Sequence, residues 1–237
     1  MISVLMPTRG RLDLAARAQK SIKDNNAGRV ELLMYVDNDD NTDYEQLDRK
    51  DGLLRTKVFR SDPKTVGKAW NDLYACSKGD LIMMGNDDLV WKTPGWDLMV
   101  EEVYQRKFPD NLGVMWCDDG SGRGGLPCCF PIVSKLWCSA LGQFTPEHFH
   151  FLWNDTWIHD VGVKAGLTHY LPFVLIEHRH FTHQKADYDE TYRRHREGLN
   201  ACRKRQEDQA EFRATEPERL AQARRIQSLV GAGKVTV

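Results

Sequence analysis

The chain has 237 residues, of which 41% are apolar and 28% charged, and its formal net charge is -1. This composition is ordinary for one large globular domain, so it excludes a disordered chain, and the charge balance argues against general affinity for polyanions. The six cysteines lack C-x-x-C spacing, which excludes the usual zinc-knuckle and redox motifs. We therefore expect reduced thiols in a reducing, cytoplasmic compartment.

The first 88 residues alternate short apolar runs with amphipathic segments. This alternation is typical of βα units, and it predicts an α/β fold whose mainly parallel, doubly wound sheet is flanked by helices. Ligands of such sheets gather outside the carboxyl ends of the strands. The predicted strands are 2–6, 30–36, 56–59 and 81–84, and the predicted helices are 11–25 and 66–77.

Beyond residue 88 the pattern is looser. A Gly-rich loop at 118–127 is predicted to be either a lid or a disordered tip. No apolar run has the length of a membrane span, and the N-terminus lacks the pattern of a signal peptide. The predicted helices here are 96–105, 133–141 and 156–165, and the predicted strands are 112–116 and 170–176.

From Tyr188 the chain is polar, charged and helix-prone. We predict a domain boundary between 187 and 188, followed by a charged helical C-terminal extension over 188–237. Its mixed charges are typical of an exposed, ion-paired helix. The surplus of Arg at 193–205 leaves a second interpretation open, an arm that contacts nucleic-acid phosphates.

Acidic side chains follow two of the predicted strands. Asp37–Asp40 ends the second strand, and Asn86–Asp88 ends the fourth. Carboxylates at a strand tip are the ligands that Mg²⁺ and related ions prefer, with water and substrate phosphates completing the shell. On residue type alone, a solvated acidic turn is the commoner interpretation.

The order of these motifs resembles that of the GT-A glycosyltransferases, specifically the inverting family 2 type, over residues 1 to about 180. Residues 6–11 resemble the first strand and nucleotide-binding loop, and Asp37 resembles the Asp that contacts the base. Residues 66–71 resemble the motif G-x-x-x-A-R-N, with Trp70 at the common Arg position. Asn86–Asp88 resembles the D-x-D motif, with Asn86 in place of its first Asp.

The resemblance implies a Rossmann-like GT-A fold, in which residues 1–187 form the nucleotide-sugar-binding and catalytic domain. It implies a nucleoside diphosphate sugar donor, an acceptor hydroxyl, and Mn²⁺ or Mg²⁺ as cofactor. Asp88 and His178 would bind the metal, with His180 and His183 as alternatives to His178. The implied donor-binding residues are Pro7, Thr8, Arg9, Arg11, Asp37, Lys68, Asn71, Asn86 and Asp87.

Residues 153–155 fall at the E-D pair of the family, so Asp155 is implied to be the general base and Asn154 is a departure. Inverting sugar transfer needs such a base, because the acceptor hydroxyl must lose its proton as it attacks. The competing interpretation of Asp155 is a helix N-cap, which would lower its pKa and weaken it as a base. Aromatic stacking on the acceptor is an open role for Trp91, Trp96, Trp153 and Trp157, with core packing the commoner one.

Two acceptor classes remain open. One is a saccharide or lipid-linked saccharide, and the other is a hydroxymethylated pyrimidine in DNA, since the chain also resembles compact virus-encoded glycosyltransferases in size. A virus-encoded enzyme would act in the host cytoplasm. The rival functions are a nucleotidyltransferase, disfavoured because Gly10 alone supplies the loop after the first strand, and a non-catalytic binding module, which Asn86 and Asn154 favour.

Overall fold

A nine-stranded sheet forms the centre of the computed structural model, which describes residues 1–231. The end of the predicted extension, 232–237, lies outside the described residues. The strands are β1 Ile2–Thr8, β2 Val30–Asp37, β3 Lys50–Asp51, β4 Leu54–Ser61, β5 Leu81–Met84, β6 Leu89–Trp91, β7 Val114–Asp118, β8 Ile132–Ser134 and β9 Thr168–His178. The helices are α1 Leu12–Asn25, α2 Val66–Cys76, α3 Trp96–Lys107, α4 Lys135–Leu141, α5 Asn154–Ala165, α6 Glu190–Arg196, α7 Gly198–Ala214 and α8 Glu216–Leu229.

The strand order is β3-β4-β2-β1-β5-β8-β7-β9-β6. Parallel pairing joins β1 to β2 and β5, β2 to β4, and β7 to β9. The antiparallel pairings of β3, β6 and β8 are only two or three residues long. The predicted α/β fold with a mainly parallel sheet and a C-terminal helical appendage is confirmed.

Apolar side chains cover both faces of the central strands. In β1, Val4 and Met6 pack on one face with α1 and α3, whereas Leu5 packs on the other with α2, α4, α5 and α8. Successive side chains of a strand point to opposite faces, so a strand between two helical layers must be apolar throughout. This is why β1 and β2 are mainly apolar, and the buried exceptions Ser3 and Glu31 satisfy each other, because the Ser3 hydroxyl donates to the Glu31 carboxylate.

One predicted helix was wrong at its start. The segment 133–141 was expected to be helical, but Ile132–Ser134 is a strand that pairs with β5 and β7. Ser134 ends that strand and caps α4, because its hydroxyl accepts a hydrogen bond from the Trp137 amide at 3.0 Å. The short strands β3 and β6 were not predicted, since two or three residues carry no detectable period.

The parallel strands β1, β2, β4 and β5 end at the same edge of the sheet. The Gly-rich loop 118–127 reaches this edge from β7. It is held there, because the carbonyl of Asp119 accepts the amide of His178 at 2.9 Å and that of Gly120 accepts the Lys185 ammonium at 2.9 Å.

The C-terminal helices pack back against the rest of the protein. The buried Asp208 of α7 accepts hydrogen bonds from the backbone amides of residues 150, 151 and 152, at 2.7, 3.0 and 2.9 Å. On α8, Arg219 forms an ion pair of 2.6 Å with Asp160 of α5, and its guanidinium lies 3.7 Å from the ring centre of Phe212. The domain boundary after residue 187 stays a prediction. Within residues 1–231, no helix has the length and apolar character needed to cross a membrane.

Candidate active site

A cleft of about 590 Å³ opens at the carboxyl edge of the sheet. It lies between the loops after β1, β2 and β5 on one side and residues 150–155, β9 and α6 on the other. Ten of the twelve predicted site residues line it: Pro7, Thr8, Arg9, Arg11, Asp37, Asn86, Asp87, Asp88, Asp155 and His178.

Two adjacent buried carboxylates, those of Asp87 and Asp88, lie at the base of this cleft. Gly85 lets the chain leave β5 close to β1, because a Cβ there would lie 2.8 Å from Val4 Cγ1 and 3.0 Å from the Leu5 carbonyl oxygen. The hydroxyl of Thr8 donates to Asp87 at 2.8 Å. The loop after β1 is thereby joined to the end of β5.

Asp88 faces the histidine that the sequence predicts. His178 Nε2 lies 3.3 Å from Asp88 Oδ2, and the edge of the His178 ring packs on Phe130. Asp88 Oδ1 and His178 Nδ1 are buried and have no hydrogen-bond partner among residues 1–231. Of the three candidate histidines, His178 makes this contact with Asp88, whereas His180 Nδ1 lies 2.7 Å from the hydroxyl of Thr182.

These side chains fit one hard divalent cation with an incomplete protein shell. No set of three or more His, Cys, Asp and Glu side chains converges as a metal site within residues 1–231. Asp88 and His178 would therefore supply two ligands, and donor phosphates and water would supply the others. Mg²⁺ is commonly bound in this way, by one or two protein groups plus substrate phosphates.

The two carboxylates have opposite pKa shifts. Burial raises the pKa of Asp87, and the neighbouring charge of Asp88 adds to this effect, while Arg11 opposes it. Burial also works against ionisation of Asp88, yet its hydrogen bond with His178 holds its pKa below the ordinary value. Of the pair, Asp88 is therefore the carboxylate that keeps its negative charge to lower pH, as a ligand for a cation requires.

Asp155 lies in the first turn of α5 rather than at the N-cap. The cap residue is Trp153, whose φ of 74° is unusual for a residue with a side chain. Burial raises the pKa of Asp155, against a hydrogen bond of 2.7 Å from the Thr156 amide. The shift is opposite to that expected for an N-cap carboxylate, and it strengthens Asp155 as a base.

Two ion clusters line the side of the cleft near β1 and β2. Arg9 bonds to Asp37 at 2.6 Å and to Asp39 at 2.8 Å through its second terminal nitrogen. Arg11 reaches Asp87 at 3.1 Å and holds Asp189 with two bonds of 2.7 and 2.8 Å. Both guanidinium groups are thus positioned by carboxylates at the cleft wall.

Residues 3–153, more than half of the chain, match the model of the family Glycosyl transferase family 2. The chain belongs to this family. A comparison with curated protein sequences found no match.

Solved structures share its GT-A fold. The mannosyltransferase PcManGT from Pyrobaculum calidifontis, solved with GDP-Man and Mn²⁺, has a TM-score of 0.61 at 13% identity, over 100% of this chain and 76% of that one. S. aureus TarS 1–349 in complex with UDP has a TM-score of 0.59 at 13% identity, over 74% of this chain and 59% of that one. The chain thus spans about 60% of the length of two TarS 1–349 structures that it matches.

The departures from family 2 motifs have structural roles here. Trp70, at the common Arg position, donates from its indole nitrogen to the carbonyls of Leu5 and Gly85, at 3.2 and 3.3 Å. Asn154, at the usual Glu position, is buried and bonds to Thr145. Of the four tryptophans considered for acceptor stacking, Trp153 lines the cleft, whereas Trp91, Trp96 and Trp157 are core residues.

Two predicted donor-binding residues of this family 2 member, Lys68 and Asn71, do not line the cleft. Lys68 is exposed on α2 and borders an adjoining groove with Glu147. The side-chain amide of Asn71 makes all of its hydrogen bonds to the segment after α4. It donates to the Thr145 carbonyl and Glu147, both at 2.9 Å, and accepts from the amides of Phe144 and Thr145 at 3.0 and 3.1 Å.

We therefore predict that Asn71→Ala destabilises the fold without weakening nucleotide binding by the folded protein. Loss of the Asn71 side chain leaves buried backbone groups without partners, at a cost of about 1–3 kcal/mol. Lys68→Ala is the matched control on the same helix, with stability near that of the wild type. Denaturant unfolding and nucleotide titration of both variants test this, and a selective loss of nucleotide affinity in Asn71→Ala would show that Asn71 contacts the donor.

Proposed function

We propose that this protein is a metal-dependent, inverting glycosyltransferase that moves a sugar from a nucleoside diphosphate sugar to an acceptor hydroxyl. The observation that carries the proposal is the meeting, in one cleft, of an ionised Asp88 with His178 and of a base of raised pKa, Asp155. The family match and the nucleotide complexes of PcManGT and TarS support it.

In this proposal the donor lies along the loops that follow β1, β2 and β5. Asp37 and Arg9 face the nucleoside, while Arg11 pairs with the diphosphate. A bound Mg²⁺ or Mn²⁺, held by Asp88 and His178, would stabilise the negative charge of the leaving group. Asn86, which lines the cleft beside them, offers an amide for the ribose.

Asp155 is proposed to accept the proton of the acceptor hydroxyl. The freed oxygen forms a bond to the anomeric carbon as the bond from that carbon to the diphosphate breaks, and the diphosphate leaves with the electron pair. Attack opposite the leaving group inverts the anomeric configuration. Because burial raises the pKa of Asp155, its carboxylate binds this proton more strongly than an exposed Asp would.

We predict that Asp155→Asn lowers kcat by about 100-fold or more, as expected for loss of a general base, while donor affinity stays unchanged. Asp88→Ala should instead abolish metal-dependent donor binding. In the wild type, the rate should fall as pH drops through the Asp155 pKa, with a midpoint above the ordinary 3.8. The measurements are kcat against pH and donor titration, with Glu102→Gln, an exposed acid of α3, as control.

Unchanged turnover of Asp155→Asn would contradict the assignment of the base. Donor binding without any turnover in the wild type would instead favour a non-catalytic binding module. Release of pyrophosphate from a nucleoside triphosphate would favour a nucleotidyltransferase.

For the acceptor, we propose a hydroxymethylated pyrimidine in DNA, with a saccharide or lipid-linked saccharide as the alternative. The supporting observation is the surplus of positive charge along α6 and the first turns of α7. Between residues 193 and 205 there are six Lys and Arg residues and a single acid, Glu197, and Arg194 and Arg196 line the cleft itself.

We predict sugar transfer from a UDP-sugar or a GDP-sugar to duplex DNA that contains 5-hydroxymethylcytosine, and none to unmodified DNA. Because phosphate contacts release counterions, DNA binding should fall roughly tenfold or more between about 50 and 200 mM salt. The triple change of Arg203, Lys204 and Arg205 to Ala should flatten this salt dependence. Transfer to free saccharides alone, with no salt effect, would favour the saccharide acceptor.

A further inference from the structure

The α6 segment contacts the two residues on which donor binding would depend. The Tyr192 hydroxyl donates to Asp88 Oδ2 at 3.1 Å, while Asp189 binds the Arg11 guanidinium at 2.7 and 2.8 Å. The same guanidinium lies 4.6 Å from the ring centre of Tyr192. These four side chains form a closed cluster, here called the α6 cluster, between α6 and the ends of β1 and β5.

The α6 cluster is buried on the side of Tyr192 and Arg11, whereas the side chain of Asp189 at its edge is 36% exposed. Tyr192 is 8% exposed, and the Arg11 side chain is 9% exposed. Asp189 also caps α6, because its carboxylate accepts the Tyr192 amide at 3.2 Å. One carboxylate therefore fixes both the start of α6 and the position of Arg11, so release of Arg11 would loosen α6 as a unit.

The contact of Tyr192 conflicts with a cation on Asp88. A divalent cation lies about 2.0–2.2 Å from a carboxylate oxygen, and Oδ2 is already hydrogen-bonded by Tyr192 beside His178. The other oxygen, Oδ1, is buried and closed to solvent. A cation that approaches Asp88 from the cleft would therefore need the position that the Tyr192 hydroxyl occupies beside Oδ2.

We propose that α6 is a displaceable cover that occupies the metal and diphosphate positions until the donor takes them, an inference that depends on the proposed donor site. The donor diphosphate replaces Asp189 on Arg11, and Tyr192 leaves Asp88 as the cation binds. Arg194 and Arg196 line the same cleft and form no salt bridge in the part of the chain from 1 to 231. The cover thus brings two guanidinium groups to the cleft that have no carboxylate partner within residues 1–231, and that of Arg196 lies 4.8 Å from the ring centre of Phe181.

Such a cover lowers the apparent donor affinity. When only a fraction of molecules has α6 displaced, the observed Kd rises by the inverse of that fraction. A change that weakens one contact of the cover, and leaves the cleft otherwise intact, should therefore tighten binding. This is the opposite of the result expected if Tyr192 or Asp189 were a donor-binding residue.

The test is calorimetric titration of Mn²⁺ with UDP, and of Mn²⁺ with GDP, into the full-length protein. Tyr192→Phe loses the hydroxyl and keeps the ring over Arg11, and Asp189→Asn weakens the hold on Arg11 and keeps a good N-cap residue. We expect each to tighten binding of the preferred nucleotide by about three- to tenfold, as for the loss of one competing hydrogen bond. Glu190→Gln, an exposed neighbour, should bind like the wild type.

A second readout reports the movement directly. Protein labelled with 3-fluorotyrosine, with the Tyr192 resonance assigned from Tyr192→Phe, should show a shift of that resonance on addition of Mg²⁺ and the nucleotide. Equal or weaker binding by both variants, or an unmoved resonance in nucleotide-bound protein, would overturn the cover and leave the donor site standing. No binding of either nucleotide by any folded variant would overturn the donor site and the cover together.

Discussion

The fold of this protein brings two adjacent carboxylates, Asp87 and Asp88, to the buried end of a central strand. Burial of like charges is costly unless each is neutralised or paired. Thr8 and Arg11 bind the carboxylate of Asp87, whose pKa is raised, and His178 and Tyr192 contact one oxygen of Asp88, Oδ2. Three parts of the chain therefore meet at this carboxylate pair and supply hydrogen bonds and charge to it: the loop after β1, the end of β9, and α6. The catalytic proposal uses the same requirement, since a cation would stabilise Asp88 better than a phenol does.

This constraint also explains why the cleft is built from distant parts of the chain. Asp208 of α7 holds residues 150–152 at the cleft wall, and these residues lead directly to Trp153 and Asp155. In the part of the chain that the structure describes, four residues with side chains have positive φ, and two of them, Phe130 and Trp153, line the cleft. Such conformations persist only where the surroundings fix them, and they cluster at functional sites. The C-terminal helices thus support the site as well as cover it.

The sequence predicted the structure well where the site residues directly follow an apolar run of clear strand length. Buried runs at β1, β2 and β5 predicted the strands, and parallel pairing then placed Asp37 and Asp88 at one edge of the sheet. The sequence was less informative where tertiary contacts determine the role of a side chain. Asn71 fits a motif, yet its amide is used by the segment after α4. Tyr192 and Asp189 were not predicted as site residues, because charged flanks suggested an exposed helix. The aromatic ring amid arginines was the one available signal that this segment returns to the core.

The most direct test of the central claim is the thermal stability of the wild type and of His178→Ala with UDP or GDP, in Mn²⁺ and in chelator. Because a ligand that binds only the folded state raises Tm by mass action, one nucleotide should raise the wild-type Tm in Mn²⁺ but not in chelator. His178→Ala should lose this rise. An equal rise in chelator, or an unchanged rise in His178→Ala, would contradict a metal-dependent donor site at Asp88 and His178.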